Sequence, residues 1–527
     1  MKTSFENLGF KIYQDIEENY PIVSASDEFY YFPQVQNKNP DWTVWDRFSP
    51  ECISEFCTKL SLWENDLENM IQETAPSEIE RIAGIKLLKK VLGTLKEHLI
   101  HIRTWETQPS LYLTISCLGL AEAFENGFSQ ADQRARTLPS FLDQARKNLK
   151  NVPISYLEVG LKMIPDTRAY LLLLQKHLPG LARALEALDR FEEHLKSVDA
   201  PSPSRLPADE LTRVVEKHLH CQMSIPQAEE VLDLEIEAMN RVLVRQAQRM
   251  GYGTWQEAYS GLTLPRLGKE GLVGLYRDEV FHLGQSCLDF GLVGEHVYQA
   301  NPVQVMPVPD YLSAIRAASS YSIPPGHPPA GGIFYVLKAQ DPQEMHRASL
   351  REFRILAAHE TWPGHHLLDI HRWNLPSPLL RAVEQPVFYE GWACFAEEIL
   401  FKIGCISEPG GRLLLAKRRL WRAIRGKVDL GLQTGGLDMD KAVNLLTQTG
   451  MNREQAQSSA QKYKLSPGYQ VCYTLGLRRF LDLYERYGTS DLAGFARVVL
   501  NHGQICFDDL EKILMMHITG MVTSSQF

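Results

Sequence analysis

The sequence predicts a mainly α-helical protein with a single small β element. Apolar residues recur every three or four positions with polar residues between them, a pattern typical of helices that bury one face. This pattern covers residues 53–74, 78–105, 129–149, 165–197, 208–220 and 226–250. The best strand candidate is residues 332–337, Gly-Ile-Phe-Tyr-Val-Leu, where β-branched and aromatic residues follow one another.

Two proline-rich stretches interrupt the helical pattern. Residues 200–207 predict a short surface connection, and residues 301–332 contain seven prolines. We therefore predict an N-terminal helical half, residues 1–300, and a second half, residues 301–527, which form one continuous unit around a cleft. The strand at 332–337 would either offer its edge to an extended peptide or pair only within a small sheet.

The composition is that of a globular protein and argues against several partners. The 527 residues are 44% hydrophobic and 23% charged, near the average for folded domains. A net charge of −9 and a pI near 6.0 argue against a nucleic-acid surface, which needs basic clusters. The N-terminus has charges where a secretion signal needs an apolar core, and no apolar stretch reaches the length of a membrane span. Nine cysteines without a Cys-x-x-Cys pair are expected to be reduced thiols, so the sequence predicts a cytoplasmic protein.

Residues 359–366, His-Glu-Thr-Trp-Pro-Gly-His-His, place imidazoles and a carboxylate at a break in the chain. A chance match to His-Glu-x-x-Pro-Gly-His in a chain of this length has a frequency of roughly 10⁻⁴ at average residue usage. Asp341 and Pro342 predict the start of the preceding helix, as N-cap and first helical residue. Pro363 and Gly364 predict its end, because proline lacks an amide donor and glycine turns freely.

The spacing limits which histidine can share a metal ion with His359. His365 and His366 follow it by six and seven residues. Seven residues of unbroken helix rise about 10 Å, too far for ligand bonds of about 2 Å. The Pro-Gly break must therefore fold the chain back. We expect His365 to be the second ligand and keep His366 as the alternative, the other histidine then only hydrogen-bonding a backbone carbonyl.

A third ligand is expected from a second helix that begins at Pro386 and ends near Gly404. Glu390 and Glu397 lie seven residues apart, on one face but two turns from each other, so they cannot both bind the same ion. Glu390 is the expected ligand, because Gly391 beside it permits close approach of another backbone. Glu397 is either an acid that orients a ligand imidazole or part of a solvated helix face.

With these motifs the chain resembles the DUF885 family of zinc-peptidase-like proteins, whose hallmarks are His-Glu-x-x-Pro-Gly-His and Glu-Gly-Trp-Ala. The second motif is also similar to the glutamate-bearing element of M1 aminopeptidases. The widened histidine spacing is similar to that of dipeptidyl-peptidase III. The resemblance implies a large multi-helix, gluzincin-like metallopeptidase fold. It implies that His359, His365 and Glu390 hold one Zn²⁺ per chain, with Glu360 as the catalytic acid and base. Residues 301–527 would then be the zinc-binding catalytic half.

The C-terminal third departs from the family pattern. The family usually shows Arg-x-x-Arg-x-x-x-Asp-x-Gly-x-His, and here Arg422 and Arg425 are kept while Gln433 replaces the final histidine. Further on, Tyr469 replaces a glutamine and Tyr473 is kept. The resemblance implies that Arg422, Arg425 and Gln433 support the metal ligands or bind substrate. The altered positions imply a substrate preference different from that of ordinary peptidases.

The sequence predicts a zinc-dependent hydrolase that cleaves peptide bonds of a peptide or peptide-like substrate with metal-activated water. Glu360 would take the proton of the attacking water and deliver it to the leaving amine. Tyr473 is expected to stabilise the oxyanion, unless it is a core residue whose hydroxyl needs only a local partner. Three alternatives stay open: an amide hydrolase on a small peptide-like metabolite, a non-haem iron oxygenase with the same ligand set, and a catalytically silent peptide-binding relative.

Overall fold

The computed structural model describes residues 4–35, 40–199, 208–308, 319–323, 331–336 and 343–518. Helices dominate these ranges, and one three-stranded sheet accompanies them. The predicted mainly α-helical class with a small β element is therefore confirmed. The predicted connection at 200–207 and the predicted helix start at Asp341 and Pro342 lie outside the described residues. The division at residue 300 stays a prediction.

The helices that precede the sheet are short to medium in length and follow one another closely. They are α1 (Phe5–Asn19), α2 (Pro50–Glu73), α3 (Ile79–Glu97), α4 (Thr104–Thr107), α5 (Pro109–Asn126), α6 (Phe128–Asn148), α7 (Ile154–Gln175), α8 (Ala182–Ser197), α9 (Ala208–Arg213), α10 (Ile225–Arg249), α11 (Trp255–Ser260), α12 (Gly271–Asp289) and α13 (Glu295–Ala300). Single π-helical turns follow α3 and α9, at His98–Ile102 and Val214–His218.

The helices that follow the sheet carry the sequence motifs. They are α14 (Gln343–Glu360), α15 (His365–Trp373), α16 (Pro378–Arg381), α17 (Pro386–Lys402), α18 (Pro409–Thr434), α19 (Met439–Thr447), α20 (Arg453–Tyr463), α21 (Val471–Tyr487), α22 (Leu492–Asn501) and α23 (Phe507–Ile518). The second metal-site helix thus begins at Pro386 as predicted and ends two residues before Gly404.

Several helices begin where local capping favours it. The Ser49 side chain accepts a hydrogen bond from the Cys52 amide at the start of α2, with Pro50 as the first helical residue. Ser224 and Gln227 form a capping box at the start of α10. These starts lie within three residues of the predicted ones, because the capping residues directly precede the apolar periodic segments.

The predicted helix 165–197 is instead two helices, α7 and α8. Pro179 and Gly180 lie in the break, and the Gly180 amide donates a hydrogen bond to the Asp132 side chain at 2.6 Å. Pro165, taken as the helix start, lies inside α7. The apolar spacing continues across the break because both helices bury residues in the same core, so periodicity alone did not reveal it.

The sheet consists of β1 (Val303–Pro307), β2 (Ser320–Ser322) and β3 (Gly332–Val336) in the order β1-β3-β2. β3 pairs in parallel with β1 and antiparallel with β2. The predicted strand is therefore confirmed, but it is the central strand. The hypothesis that it offers a free edge to a peptide is wrong, because neighbours occupy both of its edges. β2, not β3, has its outer edge toward the metal-site helix α14.

Close packing of α17 against α21 fixes the helices around the site. The two backbones meet at Gly391 and Gly476, where a Cβ built on Gly391 would lie 2.6 Å from the Gly476 Cα. Only glycine allows this approach, which agrees with the prediction made for Gly391. α18 in turn packs on α10 and α21 and also contacts α14, and α17 contacts α14 and α15.

Candidate metal centre

The turn between α14 and α15 brings two histidines together. A Cβ at Gly364 would lie 1.9 Å from the carbonyl oxygen of His359, so glycine is required for the chain to fold back over the helix end. The Trp392 indole donates a hydrogen bond to the Pro363 carbonyl at 2.9 Å and fixes the turn to α17. As a result, the rings of His359 and His365 have centroids 4.8 Å apart.

His359, His365 and Glu390 form a compact buried triad. One ligand atom from each residue lies within 4.8 Å of the other two. The Glu390 Oε2 atom is 3.4 Å from the His359 Nε2 atom and 3.6 Å from the His365 Nε2 atom. This oxygen is buried without a hydrogen-bond partner. Two imidazole nitrogens and a carboxylate oxygen this close together are a donor set that can hold a metal ion, and three protein ligands leave a position open for a substrate or water.

The ionisation of Glu390 suits a cation site. Burial alone would raise the pKa of the Glu390 carboxyl, but the neighbouring imidazoles of His359 and His365 outweigh it and hold that pKa well below its usual range. Glu390 is therefore a carboxylate, the form that binds a metal ion.

His366 takes no part in the triad. Its Nδ1 atom lies 3.0 Å from the Tyr321 hydroxyl and its Nε2 atom 2.9 Å from the Asn301 carbonyl oxygen. Burial lowers the pKa of His366 to about 4, so its ring is neutral. His366 therefore hydrogen-bonds a backbone carbonyl, as expected of the histidine outside the ligand set. It also positions the Tyr321 side chain.

Behind His359 lies a buried ion pair. The Glu397 Oε1 atom is 3.2 Å from the His359 Nδ1 atom, and both terminal nitrogens of Arg422 donate to Glu397 at 2.6 Å. Burial would raise the pKa of Glu397, but Arg422 and Arg418 hold it well below its usual range. Glu397 is fully buried, which excludes a solvated helix face. A proton on Nδ1 directed at Glu397 leaves the Nε2 lone pair free to face the triad.

Glu360 and Tyr473, the two predicted catalytic residues, each contact a different part of the structure. Glu360 is the last residue of α14, directly after His359, and its Oε2 atom accepts a hydrogen bond from the Tyr321 amide of β2 at 2.9 Å. The Tyr473 ring lies nearly parallel to the His359 ring at a centroid distance of 6.4 Å. Burial and the neighbouring Glu390 carboxylate raise the pKa of Tyr473 well above its usual value. Tyr473 therefore stays a protonated phenol and a hydrogen-bond donor.

The structure adds two tyrosines that the sequence did not assign to the site. Tyr469 donates its hydroxyl to Glu390 Oε1 at 3.0 Å. Tyr389 stacks on the His365 ring at 4.0 Å and donates to Asp369 at 2.9 Å. Tyr389 directly precedes Glu390, and Tyr469 stands at a position that departs from the family pattern. Those two signals could have pointed to them.

Two predicted site residues remain, Arg425 and Gln433. Arg425 lies close to Tyr473, and Gln433 lies far from the triad. The Arg425 guanidinium carbon lies 3.5 Å from the centroid of the Tyr473 ring. Gln433 is buried in the last turn of α18, eleven residues after Arg422. That separation is a rise of about 16 Å along the helix, so the structure does not bring Gln433 to the triad.

Comparison with known proteins gives a family and a fold. The model of the family "Bacterial protein of unknown function (DUF885)" matches residues 119–514. No curated protein matches the sequence at a significant level.

Two solved structures share the fold. A candidate lipoprotein of unknown function from Shewanella oneidensis is 15% identical, with a TM-score of 0.76, covering 97% of this chain and 100% of that one. A candidate lipoprotein from Colwellia psychrerythraea is 16% identical, with a TM-score of 0.77, covering 98% of each chain. A candidate oligoendopeptidase F from Bacillus anthracis str. Ames has a TM-score of 0.30, which is too low to indicate a shared fold.

The predicted cytoplasmic location is contradicted by this comparison, because both structures with the same fold are described as candidate lipoproteins. Composition does not decide the location, because a lipid anchor attaches to one site and leaves a folded domain with an ordinary globular composition. Among the described residues, every helix is too short or too polar to span a bilayer.

Proposed function

This chain belongs to the DUF885 family of bacterial proteins of unknown function, and we propose that it is a zinc-dependent hydrolase that cleaves peptide bonds. The observation that carries the proposal is the triad of His359, His365 and Glu390, buried and facing one point. Glu360 follows the first ligand directly. Two histidines from one helix-turn-helix segment and a glutamate from the next long helix correspond to a gluzincin-like arrangement.

The residues around the triad have separate roles in the proposed reaction. A bound zinc ion would act as a Lewis acid and lower the pKa of a water molecule at the open position. Glu360 accepts the proton of the attacking water and later delivers it to the leaving amine. The Tyr321 amide holds the Glu360 carboxylate in place at 2.9 Å. The Tyr473 phenol donates a hydrogen bond to the carbonyl oxygen as negative charge develops there.

The surrounding shell keeps the ligands in position. Glu397, held by Arg422, orients the His359 ring, and the Tyr469 hydroxyl restrains Glu390. Such fixed partners support a site that keeps its geometry when the substrate binds. The substrate in this proposal is a peptide or a peptide-like small molecule.

The other reaction classes differ from this proposal in measurable ways. A non-haem iron oxygenase has the same donor set but would contain iron and consume oxygen. A silent peptide-binding relative would bind metal and peptide without cleavage. An amide hydrolase on a small metabolite would cleave only compounds far shorter than an oligopeptide.

The test combines metal analysis with a variant of Glu360. The protein is purified without added metal, its metal content is measured, and it is incubated with a mixture of short peptides with and without chelator. We expect about one zinc per chain, cleavage that chelator abolishes, and recovery on adding zinc. Glu360→Gln is expected to keep its zinc while hydrolysis falls by a factor on the order of 10² or more. Iron with oxygen-dependent turnover would contradict the proposal, as would full activity of Glu360→Gln.

A further inference from the structure

Four arginines of α18 have side chains that are buried or largely buried, and three of them are paired with carboxylates. Arg422 is held by Glu397 at 2.6 Å. The other two pairs involve Arg418 with Glu352 at 3.2 Å, and Arg419 with Glu235 and Glu398 at 2.6 Å each. Buried guanidinium groups need such partners, because an unpaired charge loses its hydration on burial and gains nothing in return.

Of these four arginines, Arg425 alone has no carboxylate partner among the described residues. Its side chain is buried, with 7% of the residue exposed, yet its Nε and Nη2 atoms have no hydrogen-bond partner and it forms no ion pair with any described residue. The nearest acid along the helix is Asp429, one turn later. Both Asp429 oxygens accept backbone hydrogen bonds instead, from the Gly468 amide at 3.1 Å and the Gln470 amide at 3.0 Å.

Two aromatic rings hold the Arg425 guanidinium in a fixed orientation. Its central carbon lies 3.5 Å from the Tyr473 ring centroid and 4.4 Å from the Trp421 ring centroid. Aromatic faces stabilise the cation and leave its edge donors unused. A planar fork of unused N–H donors matches a carboxylate, which accepts two parallel hydrogen bonds.

The position of this fork relates it to the candidate metal centre. Tyr473 contacts the guanidinium and also lies nearly parallel to the His359 ring at 6.4 Å. The cation and the proposed metal ligand His359 are therefore both neighbours of the same aromatic ring. An extended peptide spans about 3.3–3.6 Å per residue, so a carboxylate within a few residues of the scissile bond can reach it.

We infer that Arg425 binds a carboxylate of the substrate and thereby restricts the site to peptides that carry one close to the cleaved bond. The inference rests on the proposed hydrolase function. The carboxylate comes either from the free C-terminus of a short peptide, which would make the protein a carboxypeptidase, or from an acidic side chain. Both sources offer the same two oxygens to the guanidinium.

The test compares matched peptides on wild-type protein, Arg425→Gln and Arg425→Lys. One pair of peptides differs only in a free or amidated C-terminus, and a second pair, amidated, differs only in a Glu or Gln side chain. We expect wild-type kcat/KM to favour the charged member of one pair by a factor on the order of 10², mainly through KM. Arg425→Gln should reduce that ratio to near one with zinc content unchanged. Arg425→Lys should restore part of it, because an ammonium is a single point charge.

The ratio is insensitive to partial unfolding, because misfolded protein lowers both rates equally. Preference in the first pair identifies the terminal carboxylate, and preference in the second identifies an acidic side chain. Equal rates in both pairs on the wild type, or an unchanged ratio in Arg425→Gln, would overturn the inference. If no peptide is cleaved, the proposed function fails, and calorimetric binding of the same peptides to metal-loaded wild type and Arg425→Gln still tests Arg425. Equal affinities there would also reject it.

Discussion

The Nδ1 atom of His359 lies 3.2 Å from Glu397, while the Nε2 atom of the same ring lies 3.4 Å from Glu390. One imidazole thus joins two acids that are seven residues apart on α17. Because Glu390 and Glu397 belong to one rigid helix, their positions relative to the His359 ring are fixed together. Changes at Glu397 should therefore act on the metal even though it is not a ligand.

Glu397→Gln is predicted to weaken zinc binding by about 10–100-fold, the usual effect of removing an acid that orients a ligand histidine. Zinc affinity is measured by competition with a chelator. Glu398→Gln is the matched control, because Glu398 pairs with Arg419 on the neighbouring face. Equal affinities of the two variants would show that Glu397 is only a partner for Arg422. Thermal unfolding of the metal-free proteins separates loss of stability from loss of affinity.

A second prediction concerns the adjacent histidines. His365→Ala should lose bound zinc, because its Nε2 atom faces Glu390 at 3.6 Å. His366→Ala should keep about one zinc per chain and lose stability instead, since it removes hydrogen bonds to Tyr321 and Asn301. Metal content after dialysis measures the difference. The reverse result would make His366 the ligand.

The sequence predicted the helical class, the strand at 332–337 and the residues that meet at the triad. These features are encoded locally: helical periodicity, a Pro-Gly break and a glycine beside Glu390. The replacement of the family's glutamine by Tyr469 was visible in the sequence. The contact of Tyr469 with Glu390 was not, because α17 and α21 are distant in the chain. Two of the three strands were also missed, since β1 and β2 are short and lie among prolines.

The lack of an acidic partner for Arg425 among the described residues could not be predicted from the sequence either. In sequence it is one of several arginines at helical spacing, and nothing distinguishes it from Arg422. The difference arises from α17, which provides Glu397 opposite Arg422 and no acid opposite Arg425 within the part of the chain that the structure describes. Electrostatic pairing between distant segments is a property of the packed fold.

A third prediction concerns pH and the N-terminal helical core. Burial raises the pKa of Glu122 to about 8. Between about pH 4.5 and 8 the folded protein then holds a proton that the unfolded chain has released. The contribution of Glu122 to stability should therefore fall as pH rises through this window, by roughly 1.4 kcal/mol per pH unit for one proton. Denaturant unfolding at pH 5.5 and 7.5 measures the slope. Glu122→Gln should remove this one-proton contribution to the slope, whereas the exposed neighbour variant Glu125→Gln, the smallest named contributor to the raised pKa, should change the slope much less. An identical slope in all three proteins would refute the assignment.

The final prediction concerns Tyr473, whose phenol we propose as the donor to the developing oxyanion. Its raised pKa keeps the proton on the hydroxyl, and its ring is held by the Arg425 guanidinium on α18. Tyr473→Phe removes the donor and preserves the ring. We expect kcat to fall by about 10²–10³, the usual cost of losing one such donor, with zinc content and thermal stability unchanged.

Tyr469→Phe is the matched control for that variant, because it removes another buried phenol next to the same carboxylate. The Tyr469 hydroxyl donates to Glu390 at 3.0 Å, so its loss should change zinc affinity more than turnover of the zinc-loaded protein. A fall in kcat confined to Tyr473→Phe would separate oxyanion stabilisation from general support of Glu390. If Tyr473→Phe is fully active, or loses activity only in proportion to unfolding, its hydroxyl is a core group that satisfies a local partner and the oxyanion role is wrong.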